Sequence, residues 1–303
     1  TLYDSTQYSQ AIDALNQAKR EGVQWMIGPL EKDKVAQLAS SGALPLPTLV
    51  LNYAEQATSD SSIYQFGLAP EDEARSAAIR AWHDGKRRMA TLSTRDDWSQ
   101  RANRAFITEW ERLGGILIGQ ELVDQPAAVA NQMGELLKIK QSENRANRIS
   151  SILGDVLAQP TPRQDLDALF LAATPLQARQ IKPTLAFQYA ADLPVYATSH
   201  AYQIDSSGMQ NTDLDGLLIA EIPWLLEQND PLYSDVTGNW PQAGGALGRL
   251  YAMGVDTQRI FARLPQMREY PDTHIEGATG ELTLDSTGRI QRLLPWGQIR
   301  NGV

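Results

Sequence analysis

Apolar positions in residues 7–20 recur at three- and four-residue intervals: Tyr8, Ala11, Ile12, Leu15 and Ala18 share one face. That spacing predicts an amphipathic helix, with Gly22 as its C-terminal cap. Val23 to Ile27 is a short apolar run bounded by glycines, which predicts a strand buried on both faces. The alternation repeats: a helix over 31–41 carries Val35, Leu38 and Ala39, followed by strands at LPTLVLN and at 63–68. Pro70 suits the first turn of a helix, Glu71, Asp72 and Glu73 stand where the helix dipole favours negative charge, and Gly85 closes the segment.

A second series follows. Arg88 to Ser93 reads as a strand, Asp96 or Asp97 caps a helix, and Trp98, Ala102, Ala105, Phe106, Trp110 and Leu113 line one side of it. Gly114 and Gly115 stop it before the strand ILIGQEL. Helical pieces are expected over 127–139 and 143–153, with Ser142 as an N-cap between them, then strand DALFLAA, a helix over 175–190 and strand LPVYATS. Alternating strands and helices imply parallel sheets with right-handed crossovers and helices on both faces. Two series of about 100 to 150 residues suggest two lobes. Near the end, GELTLDSTGRIQRLLPW reads as a hairpin in which Asp285 starts the turn and Gly288 takes the left-handed position.

Composition narrows the possibilities. With 303 residues and 42% apolar content the chain can bury a full core. Its 36 acidic residues against 27 basic ones, a formal charge of -9, argue against a nucleic-acid partner, since no basic excess exists to displace counterions. No run of about 18 apolar residues is present to span a membrane. The absence of cysteine excludes disulfides, thiolate metal sites and a cysteine nucleophile, and fits a periplasmic or a cytosolic domain equally.

Six segments together carry a resemblance: IGPL (27–30), LAPEDEAR (68–75), the stretch from RQDLDALFLAATP to YATSHAY (163–202), DLDGLLIAEIPWLL (213–226), LYAMGVD (250–256) and GATGELTLDSTGRIQRLLPWGQIRNG (277–302). Their order and content resemble the C-terminal domain of the LpoA family, outer-membrane lipoproteins that activate a bifunctional class A penicillin-binding protein. More widely, the chain is similar to type 1 periplasmic-binding proteins of the branched-chain amino-acid receptor kind. The resemblance implies an α/β fold of two doubly wound lobes with parallel sheets joined by three crossovers. It places 1–67 and 225–276 in lobe one, and 68–224 and 277–303 in lobe two. Both families begin with a strand and helix carrying an LPLSG-like loop. That unit is expected to be missing here, so that Leu2-Tyr3 stands for the family's second strand and the chain is a piece of a longer protein. The implied function is non-enzymatic: binding a class A penicillin-binding protein on the periplasmic side of the outer membrane and stimulating transpeptidation, with an N-terminal lipid anchoring the full-length protein and no cofactor.

Candidate sites follow from position. Gly28-Pro29 ends a buried strand just before a helix, where free N–H groups meet an anion; in the receptor family this position faces the inter-lobe cleft. The competing reading is a strand-to-helix turn that needs glycine. Asn52, Ser93, Arg95, Thr174, Ser199 and Tyr202 also follow predicted strands and would ring the same cleft, where the alternative function, binding an amino acid or a cell-wall fragment, would reside. Pro223 and Trp224 sit at a presumed crossover, as hinge candidates. The histidines His83, His200 and His274 show no metalloprotease spacing, and no nucleophile-elbow motif occurs. His200, Ser199 and Asp205 form a triad only if sequence neighbours converge in an unusual geometry. Asp165 and Asp167 would share one face of a strand, as paired carboxylates or as strand-entry solvation. No metal site is expected. The basic stretch Lys138, Lys140, Arg145 and Arg148 reads as a solvated helix face or a protein-docking surface.

Overall fold

The computed structural model describes residues 1–54, 62–123, 126–154, 159–204 and 209–302. The chain forms two compact units: Thr1–Ala69 with Ile222–Leu293, and Pro70–Glu221 with Leu294–Val303. It therefore passes from one unit to the other three times.

The first unit opens with helix α1 (Ala11–Arg20), strand β1 (Met26–Ile27), helix α2 (Lys32–Ser40) and strands β2 (Thr48–Val50) and β3 (Ile63–Gln65). The three strands are parallel, in the order β1-β2-β3. Leu2 and Tyr3, expected as a strand, join no sheet: Leu2 is exposed, and the Tyr3 hydroxyl donates to the Glu21 carboxylate at 2.6 Å. An apolar pair is too short a signal to define a strand when no ladder partner is beside it.

The second unit takes helix α3 (Pro70–His83), strand β4 (Arg88–Ser93), helix α4 (Asp97–Arg112), strand β5 (Ile116–Leu122), helices α5 (Pro126–Leu136) and α6 (Ile139–Leu153), strand β6 (Ala168–Ala172), helix α7 (Pro175–Phe187) and strands β7 (Val195–Ala197) and β8 (Leu218–Ala220). The first unit then resumes with the short helices α8 (Pro223–Leu226) and α9 (Tyr233–Asn239), the long helix α10 (Gly248–Glu269) and strands β9 (Ile275–Gly277), β10 (Gly280–Leu284) and β11 (Ile290–Leu293). Strand β12 (Trp296–Gln298) returns to the second unit.

Among the described residues the second unit holds a six-stranded sheet in the order β12-β8-β7-β6-β4-β5, parallel except for β12, which runs antiparallel against β8. The central strands β6 and β7 are buried along their whole length and apolar on both faces, as burial from both sides requires. Ala168, Phe170 and Ala172 of β6 pack with Phe106 and Trp110 of α4 on one face, while Leu169 and Leu171 pack with Met133, Ile181 and Leu185 on the other. In the first unit, Leu49, Tyr64 and Phe66 meet Met253, Ile260 and Leu264 of α10, and Val50 and Ile63 meet Leu15, Val35 and Leu38.

Several expectations change. Residues 277–293, assigned to lobe two from the resemblance, lie in the first unit. The reason is pairing: β10 bonds β9 and β11 in one antiparallel sheet, and the Gln65 N–H donates to the Gly288 carbonyl at 2.9 Å. Ser142 is no N-cap; it lies buried inside α6, and its hydroxyl accepts from the Thr161 N–H at 2.8 Å. The joint between α5 and α6 is instead Leu137-Lys138, with Lys138 in the left-handed conformation at φ 56°. Gly248, at the start of α10, meets a close approach: a Cβ there would stand 2.6 Å from a Leu225 methyl of α8.

The hairpin turn is built as its sequence indicates. Gly288 adopts φ +79°, and a Cβ there would stand 2.7 Å from the Ile63 carbonyl oxygen. The Asp285 carboxylate accepts from the Thr287 N–H (2.8 Å), the Thr287 hydroxyl (2.6 Å), the Arg289 N–H (3.0 Å) and the Gln291 side-chain amide (2.8 Å). Burial pushes this carboxyl up, but the four donors outweigh it and hold it below its ordinary value. A depressed folded-state value means stabilisation that is complete above the unfolded carboxylate range and is lost as the pH falls through the folded value. Asp285→Asn is therefore expected to cost about 1 kcal/mol at pH 7. The cost should shrink towards zero at the acid end of the range; urea unfolding of both proteins at pH 7 and pH 3 checks this.

Candidate functional site

In the second unit, chain order places the strand-end residues. Strand β4 leads outward to β5, whereas β6 lies on its other side and leads on to β7. The connections therefore diverge at the carboxyl ends of β4 and β6, the place in an open parallel sheet where ligands are usually bound. Ser93 ends β4 and Thr94 and Arg95 follow it, Thr174 follows β6, and Ser199 and His200 follow β7, so the three neighbouring strands bring these groups to one edge.

Most of these polar groups are already committed within the unit. The Ser99 hydroxyl accepts from the Thr94 N–H at 2.8 Å and donates to the Ala172 carbonyl at 2.6 Å, which ties the ends of β4 and β6 to α4. Thr174 caps α7 in a reciprocal box with Gln177: its backbone N–H (2.9 Å) and hydroxyl (2.7 Å) donate to the Gln177 side-chain oxygen, and the Gln177 N–H donates to its hydroxyl at 3.5 Å. Ser93 is buried, with the Gln100 amide 3.5 Å from its hydroxyl. Arg95 is exposed, and Tyr202 is half-buried against the core.

Ser199 is held by Glu73. This glutamate, in the first turn of α3, is buried, and it accepts from the Ser199 N–H at 2.7 Å and the Ser199 hydroxyl at 3.0 Å. The His200 Nδ1 stands 3.7 Å from the same carboxylate, and the His200 ring stacks on Trp98 at a centroid separation of 4.3 Å and 17°. The serine proton points to Glu73 and not to the imidazole, so Ser199 and His200 are not arranged as nucleophile and base. Asp205 lies outside the described residues. Nothing in the sequence marks Glu73 as a partner of residues 126 positions away; its place after Pro70 speaks for the helix dipole alone.

In the first unit, Gly28-Pro29 is a cis peptide, and Gly28 has φ +106°, a conformation that side chains rarely adopt. The Gly28 N–H donates to the Leu49 carbonyl at 2.8 Å, and the Leu51 N–H to the Pro29 carbonyl at 2.9 Å. The turn thus extends the ladder between β1 and β2. The Asn52 amide donates to the Leu30 carbonyl at 3.0 Å, and its side-chain oxygen accepts from the Tyr53 N–H at 2.9 Å. These bonds account for the glycine and for Asn52 as structural parts of a strand-to-helix turn. Pro223 opens α8, and Trp224 behind it is fully buried, its indole N–H on the Ala243 carbonyl at 2.8 Å and its backbone N–H on the Ala278 carbonyl at 3.1 Å.

Asp165 and Asp167 do not form a carboxylate pair. Asp165 takes both ends of the Arg163 guanidinium at 2.6 and 2.7 Å, while Asp167 accepts from the backbone N–H groups of Arg87 and Arg88, both at 2.9 Å. Among the described residues no group of three or more histidine, aspartate or glutamate side chains is placed to hold a metal ion, and no helix is long and apolar enough to cross a membrane.

A family model described as LppC putative lipoprotein matches residues 1–302. This chain belongs to the LppC family. The LppC chain is 32% identical over 315 residues to the penicillin-binding protein activator LpoA of Edwardsiella ictaluri, an alignment that covers 99% of this chain and 46% of that protein. It thus spans about half the length of the curated relatives it matches. Among solved structures it matches the LpoA (YraM) C-domain from Haemophilus influenzae, described as a regulator of PBP1A, with a TM-score of 0.79, 25% identity and coverage of 99% of this chain and 86% of that one. It also matches a putative branched-chain amino acid ABC transporter protein from Chromobacterium violaceum, with a TM-score of 0.69, 27% identity and coverage of 95% and 84%. The LppC chain accordingly has an α/β fold similar to the LpoA C-domain and to type 1 periplasmic-binding proteins.

The strand-end geometry leads to one stability test. Removing the Glu73 carboxylate leaves two buried donors of Ser199 without an acceptor. Glu73→Ala is therefore expected to lower the unfolding free energy by about 2–4 kcal/mol. Thr174→Ala, which removes only a helix cap, should cost about 1 kcal/mol. Urea denaturation followed by circular dichroism compares the two.

Proposed function

We propose that this chain is the regulatory module of a longer, lipid-anchored protein on the periplasmic side of the outer membrane, and that it binds a bifunctional class A penicillin-binding protein and stimulates its transpeptidation. The observation that carries the reading is the match to the Haemophilus influenzae LpoA C-domain along nearly the whole of both chains. The names of the curated relatives support it, as does membership of a family of putative lipoproteins. The internal commitment of Ser93, Thr174 and Ser199 favours a role that uses the outer surface rather than catalysis at the strand ends.

Activation by binding is a thermodynamic statement. The module raises the synthase's rate only if it binds the competent state more tightly than the resting one, and a coupling of about 1–3 kcal/mol corresponds to a 5- to 150-fold change in equilibrium. The chain, mixed with the purified synthase of its own organism, should be retained with it on an affinity column and should raise the rate of peptide cross-link formation. No retention, or retention without a rate change, overturns the reading.

The likeness to a putative branched-chain amino acid transporter protein supports a second reading, in which loops at the strand ends take an amino acid or a cell-wall fragment. A ligand present at a hundred times its dissociation constant adds about 2.7 kcal/mol to stability, which a thermal-shift screen detects. The main reading expects no shift with amino acids or muropeptides.

A further inference from the structure

The basic segment of α6 is part of a built pocket. Lys138, the N-cap of α6, and Gln141 and Arg145 within the helix are exposed and line one pocket, beside the buried seam Ile139, Ser142 and Ala146. The loop opposite is fixed in place: the Thr161 N–H donates to the Ser142 hydroxyl at 2.8 Å, and the Arg163 N–H to the Leu137 carbonyl at 3.0 Å. Between helix and loop lies a cavity of about 340 Å³, lined by these three residues together with Thr161, Arg163 and Asp165. All of it belongs to the second unit.

The charges in this pocket are unequal. Arg163 and Asp165 neutralise one another through two short bonds at 2.6 and 2.7 Å, and that contact holds the Asp165 carboxyl well below its usual range. Lys138 and Arg145 remain. Among the described residues neither makes an ion-pair contact with a carboxylate; the Lys138 charge acts on Asp165 at longer range, after Arg163, so the pocket carries a surplus of positive charge on a chain whose formal charge is -9. Lys138 also holds a left-handed backbone at φ 56°, which a lysine adopts at a cost where glycine would not.

We infer that this pocket is a docking site for an acidic peptide segment of a partner protein, in polyproline II conformation, with two carboxylates three residues apart. The spacing selects this occupant. From Lys138, the N-cap of α6, to Arg145 within it is seven residues, about 10 Å along the helix axis. A polyproline II chain has three residues per turn and rises about 3.1 Å per residue, so carboxylates three residues apart stand about 9 Å apart on one face. Two separated cations suit a pair of spaced carboxylates, whereas a phosphate or sulfate needs donors that converge on one point.

The test uses this chain, isotopically labelled, and the probe acetyl-Glu-Ala-Ala-Glu-amide, followed by backbone amide shifts at low salt. Binding with a dissociation constant on the order of 1 mM is expected. The shifts should be centred on residues 138–145 and 161–165 and should weaken as salt is raised to 0.5 M. Arg145→Glu should weaken binding at least fivefold. Lys138→Gly should weaken it at least twofold without lowering the thermal midpoint, because glycine suits φ 56°. The matching Gln-Ala-Ala-Gln peptide should not bind. Absence of shifts, shifts elsewhere, equal binding of the glutamine peptide, or insensitivity to both substitutions overturns the inference. Sodium phosphate producing the same shifts at equal or lower concentration overturns the peptide assignment in favour of a small-anion site. The readout is direct binding to this chain, so it stands or falls separately from activation of a synthase.

Discussion

Asp256 has no solvent exposure, yet it joins three parts of the first unit that are far apart in sequence. Its carboxylate accepts from the Ala278 N–H (2.8 Å), the Thr279 N–H (2.7 Å) and the Thr279 hydroxyl (2.6 Å). Arg259, one turn along α10, stands 3.3 Å away and in turn grips Asp230 with both nitrogens, at 2.8 and 2.9 Å. Burial pushes the Asp256 carboxyl up against the pull of these donors. A buried carboxylate is tolerable only while every partner is in place, and losing one leaves a desolvated charge or an orphaned donor. The neighbouring glycine follows from this: a Cβ on Gly277 would stand 2.7 Å from the same carboxylate. The constraint fixes the turn between β9 and β10 on α10, and with it the sheet whose hairpin reaches back to Gln65.

That long-range closure explains why the unit boundaries were hard to read. The pairings themselves were legible: the turn residues Asp285 and Gly288, the strand Arg88–Ser93 and the strand Ile116–Leu122 carry strong local signals, and the structure places all of them as the pattern indicates. What local pattern does not contain is the address of the hairpin. Residues 277–293 look the same whichever sheet they join, and the choice is made by Gln65, Tyr53 and Asp256, more than 20 residues away at the nearest. The α5–α6 joint failed for a different reason. Ser142 has the chemistry of a cap, but Thr161 claims its hydroxyl, and the break falls on a lysine that no propensity rule would place in the left-handed region.

The candidate site was legible as a location and illegible as a function. Chain order brings Ser93, Thr174 and Ser199 to one edge, since residues after parallel strands must gather there. Whether they are available depends on partners at other sequence distances: Gln177 three residues on, Gln100 seven residues on, and Glu73 on another helix. The last of these cannot be anticipated from spacing. A shared fold therefore says little about this chain's chemistry, because chemistry resides in particular side chains, and here Ser93, Thr174 and Ser199 bond within their own unit.

A consequence for recognition follows from charge. With a formal charge of -9, the chain as a whole repels an acidic partner at long range, while the Lys138–Arg145 side of α6 attracts one at contact. At physiological ionic strength the screening length is about 8 Å, so the repulsion from distant carboxylates is damped before docking, but charges within the pocket still interact across it. Net charge and local charge then act on different quantities: the first slows encounter, the second favours the docked state. A weak, salt-sensitive contact of this kind adds little affinity by itself. Attached to a larger interface it becomes an intramolecular event, where its value is to fix register rather than to supply binding energy.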